Sequence, residues 1–346
     1  MEKKKVLLGM SGGVDSSTSA ILLLKQGYEV VGATMILYKE DSSAEDAKKI
    51  CDNLGIKHYV FDFREEFKNC VIKNFIESYA DSKTPNPCIE CNKYMKFGLL
   101  FEKAKELNCD FVATGHYAKK VFNEEYNKFV IEKSNNLAKD QSYVLWKIPK
   151  EIIPNIIFPL SDFETKDEIR ALAKDNGIES YDKPDSEDIC FIPDGNYKEF
   201  LEKNSDIKPK PGNIVNRDGK VLGKHTGLYN YTIGQRKGLG ITNPVPLFVL
   251  GFNKEKNEVI VGEESELYQK ELLVTDINLL LIDKIEGSIK VDVKTRYSTK
   301  SFKAEIMQEN NMIKVIFDEQ QRAITPGQSA VFYKDNILFG GGIIFK

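Results

Sequence analysis

Histidine and tryptophan are nearly missing from this sequence, with three histidines and one tryptophan in 346 residues. Three histidines leave little with which to build a histidine-rich metal centre. Long apolar runs are missing too. The run Ile277–Ile282 is interrupted by Asn278 and falls far short of the roughly 20 residues a membrane helix needs. Neither sign of charge dominates: 49 Lys+Arg against 52 Asp+Glu leave a net −3, which does not announce a nucleic-acid partner. There is no internal repeat and no low-complexity tract. With 41% hydrophobic and 29% charged residues, the composition excludes a disordered, collagenous or coiled-coil chain. The start, MEKKKVLLGM, is basic and then apolar, but Gly12 and Gly13 break it within a few residues. It reads as a first strand and not a signal peptide, so a cytoplasmic protein with no membrane partner is expected. In that reducing compartment the six cysteines do not form a structural disulfide framework.

What is present is organised in three textures, as the length allows. The first alternates strand and helix patterns: KVLLGM (5–10), a helix over 15–26 stopped by Gly27, YEVVGATMIL (28–37), a helix over 43–54 stopped by Gly55, HYVFDF (58–63), a helix over 95–107 and CDFVATGHYA (109–118). This alternation predicts an α/β unit, a parallel sheet with helices on both faces and ligands at the carboxyl ends of the strands. A further helix is predicted over 164–177. ADSKTPNPCIECN (80–92) holds two prolines and no periodicity, which predicts a mobile loop. From about residue 204, prolines and glycines break the chain every few residues, predicting a small turn-rich module. Residues 206–240 carry seven basic and two acidic side chains. Such a face can hold phosphates, and a solvated loop accounts for it equally. After about 265, six short strands predict a small antiparallel β-barrel or sandwich. The expected domains are 1–203, 204–264 and 265–346.

Ser11-Gly12-Gly13-Val14-Asp15-Ser16 follows the first strand and opens a helix. The glycines allow a sharp turn that gathers N–H groups, the helix adds the positive end of its dipole, and Ser11 and Ser16 add hydroxyls. That combination is a pyrophosphate cradle. Asp15 repels phosphate unless it helps to hold Mg²⁺. The spacing is neither GxxxxGK[ST] nor GxGxxG, and no lysine follows the glycines. An ordinary strand-to-helix turn is the plain alternative. SGGVDS resembles the signature of PP-loop ATP pyrophosphatases, which cleave ATP between the α and β phosphates and adenylate an oxygen of their substrate.

Cys88 and Cys91 form a CxxC, and Cys190 lies in KPDSEDICFI. Lys83, Lys93 and Lys183 stand near them, and positive surroundings favour a reactive thiolate. A thiolate can carry sulfur as a persulfide that a second thiol attacks. Two further chemistries remain open: a zinc knuckle, for which one CxxC supplies too few ligands, and an iron–sulfur cluster on Cys88, Cys91 and Cys190 with one iron open to sulfide. Cys51, Cys70 and Cys109 sit in periodic apolar segments and are expected in the core.

SGGVDS, TPNPCIECN, ATGHYA, KDQSYVLW, KPDSEDICFI and HTGLYNYTIGQRKGLGI occur in this order along nearly the whole chain. Together they resemble the bacterial tRNA-specific 2-thiouridylases, which make 2-thiouridine at the wobble position of Lys, Glu and Gln tRNAs. The resemblance implies that Gly9, Met10, Ser11, Gly12, Gly13, Val14, Asp15 and Ser16 hold ATP, with Met35 and Gly115 at the adenosine. It implies Cys190 as persulfide carrier and Cys91 as nucleophile, with a cysteine desulfurase or sulfur-relay protein as donor. Asn86 is placed near the target base. His116, Lys139, Asp140, Gln141, Ser142, Arg296, Tyr297 and Gln328 are placed at the tRNA, and Arg236 and Lys237 between glycines make a cationic loop suited to a phosphate backbone. Some family members carry Asp where this chain has Cys88. The thiol weakens a general-base role there and strengthens the three-cysteine cluster. A PP-loop amide synthetase and a non-catalytic RNA-binding protein are the rival classes.

Overall fold

The computed structural model describes residues 3–39, 43–182 and 188–345. By their contacts they divide into two compact units, one of residues 1–72, 88–187 and 336–339, the other of 73–87, 188–335 and 340–346. In chain order the first part contains β1 (Lys5–Gly9), α1 (Val14–Lys25), β2 (Glu29–Ile36), α2 (Ser43–Leu54), β3 (Lys57–Asp62), α3 (Arg64–Phe67), α4 (Lys73–Ala80), α5 (Pro87–Cys91), α6 (Leu100–Glu106), β4 (Phe111–Ala113), β5 (Ala118–Asn123), β6 (Lys128–Lys133), β7 (Ile156–Ile157) and α7 (Lys166–Asp175).

In the first unit, five parallel strands stand in the order β3-β2-β1-β4-β7. The apolar runs of β1 and β2 are continuous because both faces are covered, whereas β3 at the edge is mostly exposed. Side chains alternate between the faces. Val6, Leu8 and Val30 pack with Ile21, Leu23 and Ala47 of α1 and α2 and Ile169 of α7. Leu7, Val31 and Val112 pack with Leu100 and Ala104 of α6. Leu7 and Leu8 are fully buried, each worth about 1.5–3 kcal/mol relative to exposure. The chain leaves β1 toward β2 and β3 and returns to β4 on the opposite side, so β1 and β4 flank a topological switch point, the place where open α/β sheets bind ligands.

In the second unit the chain continues through α8 (Tyr197–Asn204), β8 (Gly212–Val215), β9 (Val221–His225), β10 (Phe248–Asn253), β11 (Glu258–Gly262), β12 (Tyr268–Leu279), β13 (Ser288–Lys294), β14 (Phe302–Glu309), β15 (Met312–Arg322), β16 (Ser329–Lys334) and β17 (Ile337–Ile344). The turn-rich module is a four-stranded sheet, β10-β11-β8-β9, over Ile214, Val249, Val259 and Val261. The last six strands close into the expected antiparallel barrel, in the order β12-β15-β14-β13-β16-β17 and back to β12. Val291, Val293, Ile306, Val315 and Phe317 are buried. The glycines at 340–342 lie within β17, opposite an irregularity in β12. A Cβ at Gly340 meets the Asn278 carbonyl oxygen at 2.3 Å, and φ is +147°, so only glycine fits.

Candidate active site

The phosphate loop turns between β1 and α1. Gly12 has φ +74°, and a Cβ there lies 2.7 Å from Asp46 Cβ, so the loop requires glycine in shape and in space. Gly13 is the N-cap of α1, and the first N–H groups of the helix lack partners within it. Ser16 Oγ donates to the Gly13 carbonyl (3.1 Å) and accepts from Ser11 N–H (3.2 Å). Its hydroxyl is thus used inside the loop, whereas Ser11 is exposed. Ser180 Oγ donates to the Gly12 carbonyl (3.1 Å). Met10 is buried and Met35 half-buried at the end of β2. The two strand ends are joined by Met10 N–H to the Ala33 carbonyl (2.7 Å) and Thr34 Oγ1 to the Met10 carbonyl (2.9 Å). A Cβ at Gly115 comes within 3.1 Å of the Asp15 carbonyl carbon and 3.2 Å of Ser16 N. That glycine lets the segment after β4 approach the first turn of α1.

Asp15 stands on that first turn. Its Oδ1 accepts from Tyr117 O–H at 2.7 Å and from Lys166 Nζ at 2.6 Å. The loop carries no lysine of its own, and a cation reaches it from the first turn of α7. Neither Tyr117 nor Lys166 is singled out by the sequence pattern.

The expected mobile loop over 80–92 is corrected in part, because Pro87–Cys91 is helical. Proline at the first helical position loses no hydrogen bond and presets φ, so Pro87 starts α5 instead of breaking it. Cys88 and Cys91, three residues apart, are neighbours on its surface. Cys88 is exposed and Cys91 buried, at 8%. Protein packed around the Cys88 sulfur raises its pKa, while Lys96 pulls the other way; exposure decides access, and Cys88 has it. Between them, buried Glu90 pairs with buried Lys147 at 2.5 Å, and Asn92 Nδ2 donates to the Val144 carbonyl (3.0 Å). Both contacts fasten α5 and its continuation to the segment around the fully buried Trp146.

His116 is buried at 6%. Lys96 Nζ, a donor only, lies 3.4 Å from Nε2, so the ring proton sits on Nδ1 and faces Thr114 Oγ1 at 2.8 Å. Burial first, and Lys96 second, hold its pKa well below the ordinary value, so the ring is neutral. In 139–142, Lys139 and Gln141 are half-buried. Asp140 and Ser142 are buried, and Asp140 accepts from Ser134 N–H and Ser142 Oγ–H. Of the cysteines expected in the core, Cys51 is buried, its pKa raised to about 11 by burial, while Cys70 and Cys109 are half-buried.

In the second unit Cys190 is exposed, while Phe191 just after it is 3% exposed and packs edge-on to Phe75 of α4 at 5.4 Å. Residues 183–187 of the KPDSEDICFI motif, Lys183 included, lie outside the described residues. Thr325 to Gln328 form a turn closed by Gln328 N–H to the Thr325 carbonyl, with Gly327 at φ +91°. Thr84 N–H donates to the Pro326 carbonyl (3.0 Å), and Gln328 Nε2 donates to the Thr84 carbonyl (2.9 Å). Asn86, half-buried, follows two residues later. Arg296 directs Nη2 at Thr325 Oγ1 (2.6 Å) and the Ala323 carbonyl (3.0 Å). Tyr297, Arg236 and Lys237 are exposed, the last two between left-handed Gly234 and Gly238. Among the described residues, no group of three His, Cys, Asp or Glu is gathered to hold a metal ion, and no helix is long and apolar enough to cross a membrane.

Three family models match in succession: the tRNA methyl transferase HUP domain over 4–194, the tRNA methyl transferase PRC-barrel domain over 198–263 and the aminomethyltransferase β-barrel domain over 269–344. With the phosphate loop at the switch point, they define a PP-loop protein of the ATP-binding kind that carries two further β domains. The tRNA-specific 2-thiouridylase MnmA of Clostridium perfringens is 47% identical over 99% of each chain, and that of Acetivibrio thermocellus is 44% identical over 99% of this chain and 100% of its own. A 4-thiouridine synthetase–RNA complex with bound ATP is similar at 22% identity and a TM-score of 0.40, covering 58% of this chain and 50% of that one. The chain belongs to the tRNA-specific 2-thiouridylase family.

Proposed function

We propose that this protein is a cytoplasmic tRNA-uridine 2-sulfurtransferase that cleaves ATP to AMP and pyrophosphate, acting on Lys, Glu and Gln tRNAs, with a cysteine desulfurase or relay protein as sulfur donor. The observation that carries the reading is the phosphate loop at the β1/β4 switch point, in a chain that also holds the exposed Cys190 and the Cys88–Cys91 helix. A phosphate cradle with thiols suits ATP-dependent thiolation. The domains follow the division 1–203, 204–264 and 265–346.

Residues 9–16 bind the triphosphate, and Met35 and Gly115 flank the adenosine. Asp15 fits magnesium, which takes one or two carboxylates plus substrate phosphates, and the ion would supply neutralisation of phosphate charge. Asn86, Lys139, Gln141, Arg236, Lys237, Tyr297 and Gln328 meet the tRNA, whose anticodon loop is unstacked to present one uridine. His116, Asp140, Ser142 and Arg296 serve the same surface by shaping it, since their polar atoms are engaged within the protein.

The uridine O2 attacks the α-phosphorus and pyrophosphate leaves, which turns a poor leaving oxygen into AMP. The persulfide on Cys190 carries the sulfur. Its terminal sulfur attacks C2 directly, after which the Cys91 thiolate attacks Cys190 Sγ and breaks the S–S bond to free the thiolated base; or the Cys91 thiolate attacks Cys190 Sγ first and releases hydrosulfide, which attacks C2. AMP leaves in either case, and the Cys91–Cys190 disulfide is reset by a thiol reductant. Burial of Cys91 means that α5 or its cover shifts before the sulfur reacts.

The test is tRNA-dependent pyrophosphate release together with mass spectrometry of the tRNA nucleosides. Cys190→Ser is expected to lose activity with a persulfide donor and to recover with free sulfide. Full activity of Cys190→Ser with the persulfide donor overturns the carrier role. Pyrophosphate release indifferent to tRNA points to an amide-forming PP-loop enzyme, and ATP turnover at background to an RNA-binding protein.

A further inference from the structure

Phosphate loops that bind triphosphates commonly supply a cation, and the loop at 11–16 contains none. It contains a carboxylate instead. An isolated Asp15 works against a polyanionic ligand, and its burial with no counter-charge costs free energy. Lys166 answers both problems. Its ammonium is 2.6 Å from Asp15 Oδ1, its side chain is 10% exposed, and it lies over the Tyr117 ring at 5.5 Å from the centroid. Tyr117 O–H donates to the same oxygen at 2.7 Å. The three residues follow three adjacent strands: Asp15 comes after β1, Tyr117 after β4 and Lys166 after β7. They therefore converge at the carboxyl edge of the sheet, where a nucleotide bound to the loop places its phosphates. Thr165 caps α7, accepting from Glu168 N–H at 3.3 Å, so the lysine sits on a fixed first turn.

We infer that Lys166 is the phosphate-binding cation of this nucleotide site, held in place by Asp15 and Tyr117 until the triphosphate arrives. Bound ATP presents new acceptors to an ammonium that has three donors, and Lys166 shares itself between Asp15 and the phosphates. A magnesium ion held by Asp15 would occupy that carboxylate and leave the lysine's donors to the phosphates. The contact belongs to the β- and γ-phosphates, so ATP gains from it and AMP does not. This inference rests on the reading of 11–16 as an ATP cradle.

The experiment is calorimetric titration of the full chain with ATP and, separately, with AMP, in magnesium buffer without tRNA. One charge-assisted hydrogen bond corresponds to roughly a 10- to 100-fold change in affinity. Lys166→Met is expected to weaken ATP by that factor and to leave AMP within about twofold. Lys166→Arg, which keeps the charge, is expected to recover most of the ATP affinity. Emission of Trp146 reports whether each variant is folded. If the Met variant is not, Lys166→Gln, which keeps a hydrogen bond to Asp15, carries the same comparison. Equal weakening of ATP and AMP, or no weakening of either, overturns the inference and leaves Lys166 as a structural partner of Asp15. Wild-type protein that binds no ATP overturns the cradle itself, a different result.

Discussion

Removing one partner of the Glu90–Lys147 pair tests how α5 is held in place. Both side chains are under a tenth exposed, at 8% and 7%, and their charged atoms are 2.5 Å apart. Glu90→Gln leaves a buried ammonium facing a neutral amide. Breaking a buried pair in this way costs about 3–5 kcal/mol, whereas replacing both partners by apolar residues of similar volume is close to neutral. The single tryptophan of the chain adjoins Lys147, whose ammonium is 5.8 Å from the indole centroid, so Trp146 fluorescence reads unfolding at this spot. With a urea slope of about 2.5–3 kcal/mol/M, the Glu90→Gln midpoint falls by about 1–2 M. The Glu90→Leu/Lys147→Met double variant recovers most of that loss. A midpoint shift below about 0.3 M for Glu90→Gln, the size of an ordinary surface change, refutes the claim that the pair is desolvated and fixes the cysteine helix.

Two further predictions concern His116 and Gly327. Burial lowers the folded pKa of His116 below the unfolded value of about 6.5. The neutral ring's contribution to stability is therefore complete above that pH and is lost as pH falls below it. The His116 ring signals in NMR keep their neutral positions at pH 6.5, and a titration midpoint at or above 6.5 contradicts the placement. Gly327→Ala forces a left-handed alanine whose Cβ lies 2.8 Å from Thr84 N, a strain of about 2–5 kcal/mol from backbone and overpacking together. The Thr84 amide then exchanges faster with solvent, and unchanged protection there argues against the turn as a brace for residues 83–84.

Local chemistry made much of the architecture legible in the sequence. Strand, glycine turn and helix at 5–25 are contiguous, so the phosphate loop is visible in the order of its residues. The six barrel strands show as closely spaced apolar stretches between turns. Pro87 was harder, because a proline that breaks a helix and one that starts it look alike without the neighbouring strands. Lys166 was harder still: 151 positions separate it from Asp15, and only the adjacency of β1, β4 and β7 joins them. Glu90 and Lys147, 57 positions apart, carry no periodic signal that marks a charged residue as buried. Arg236 and Lys237 show the converse, since glycines on either side announced an exposed cationic loop.

The most direct test of sulfur transfer through Cys91 and Cys190 is a single-turnover reaction of the persulfide-loaded protein with ATP and unmodified tRNA, quenched in alkylating reagent and read by mass spectrometry. The account predicts one 2-thiouridine for each AMP and pyrophosphate, with Cys91 and Cys190 recovered as a disulfide. Thiolated tRNA with both cysteines recovered as free thiols, or AMP formed with no thiolated nucleoside, contradicts it.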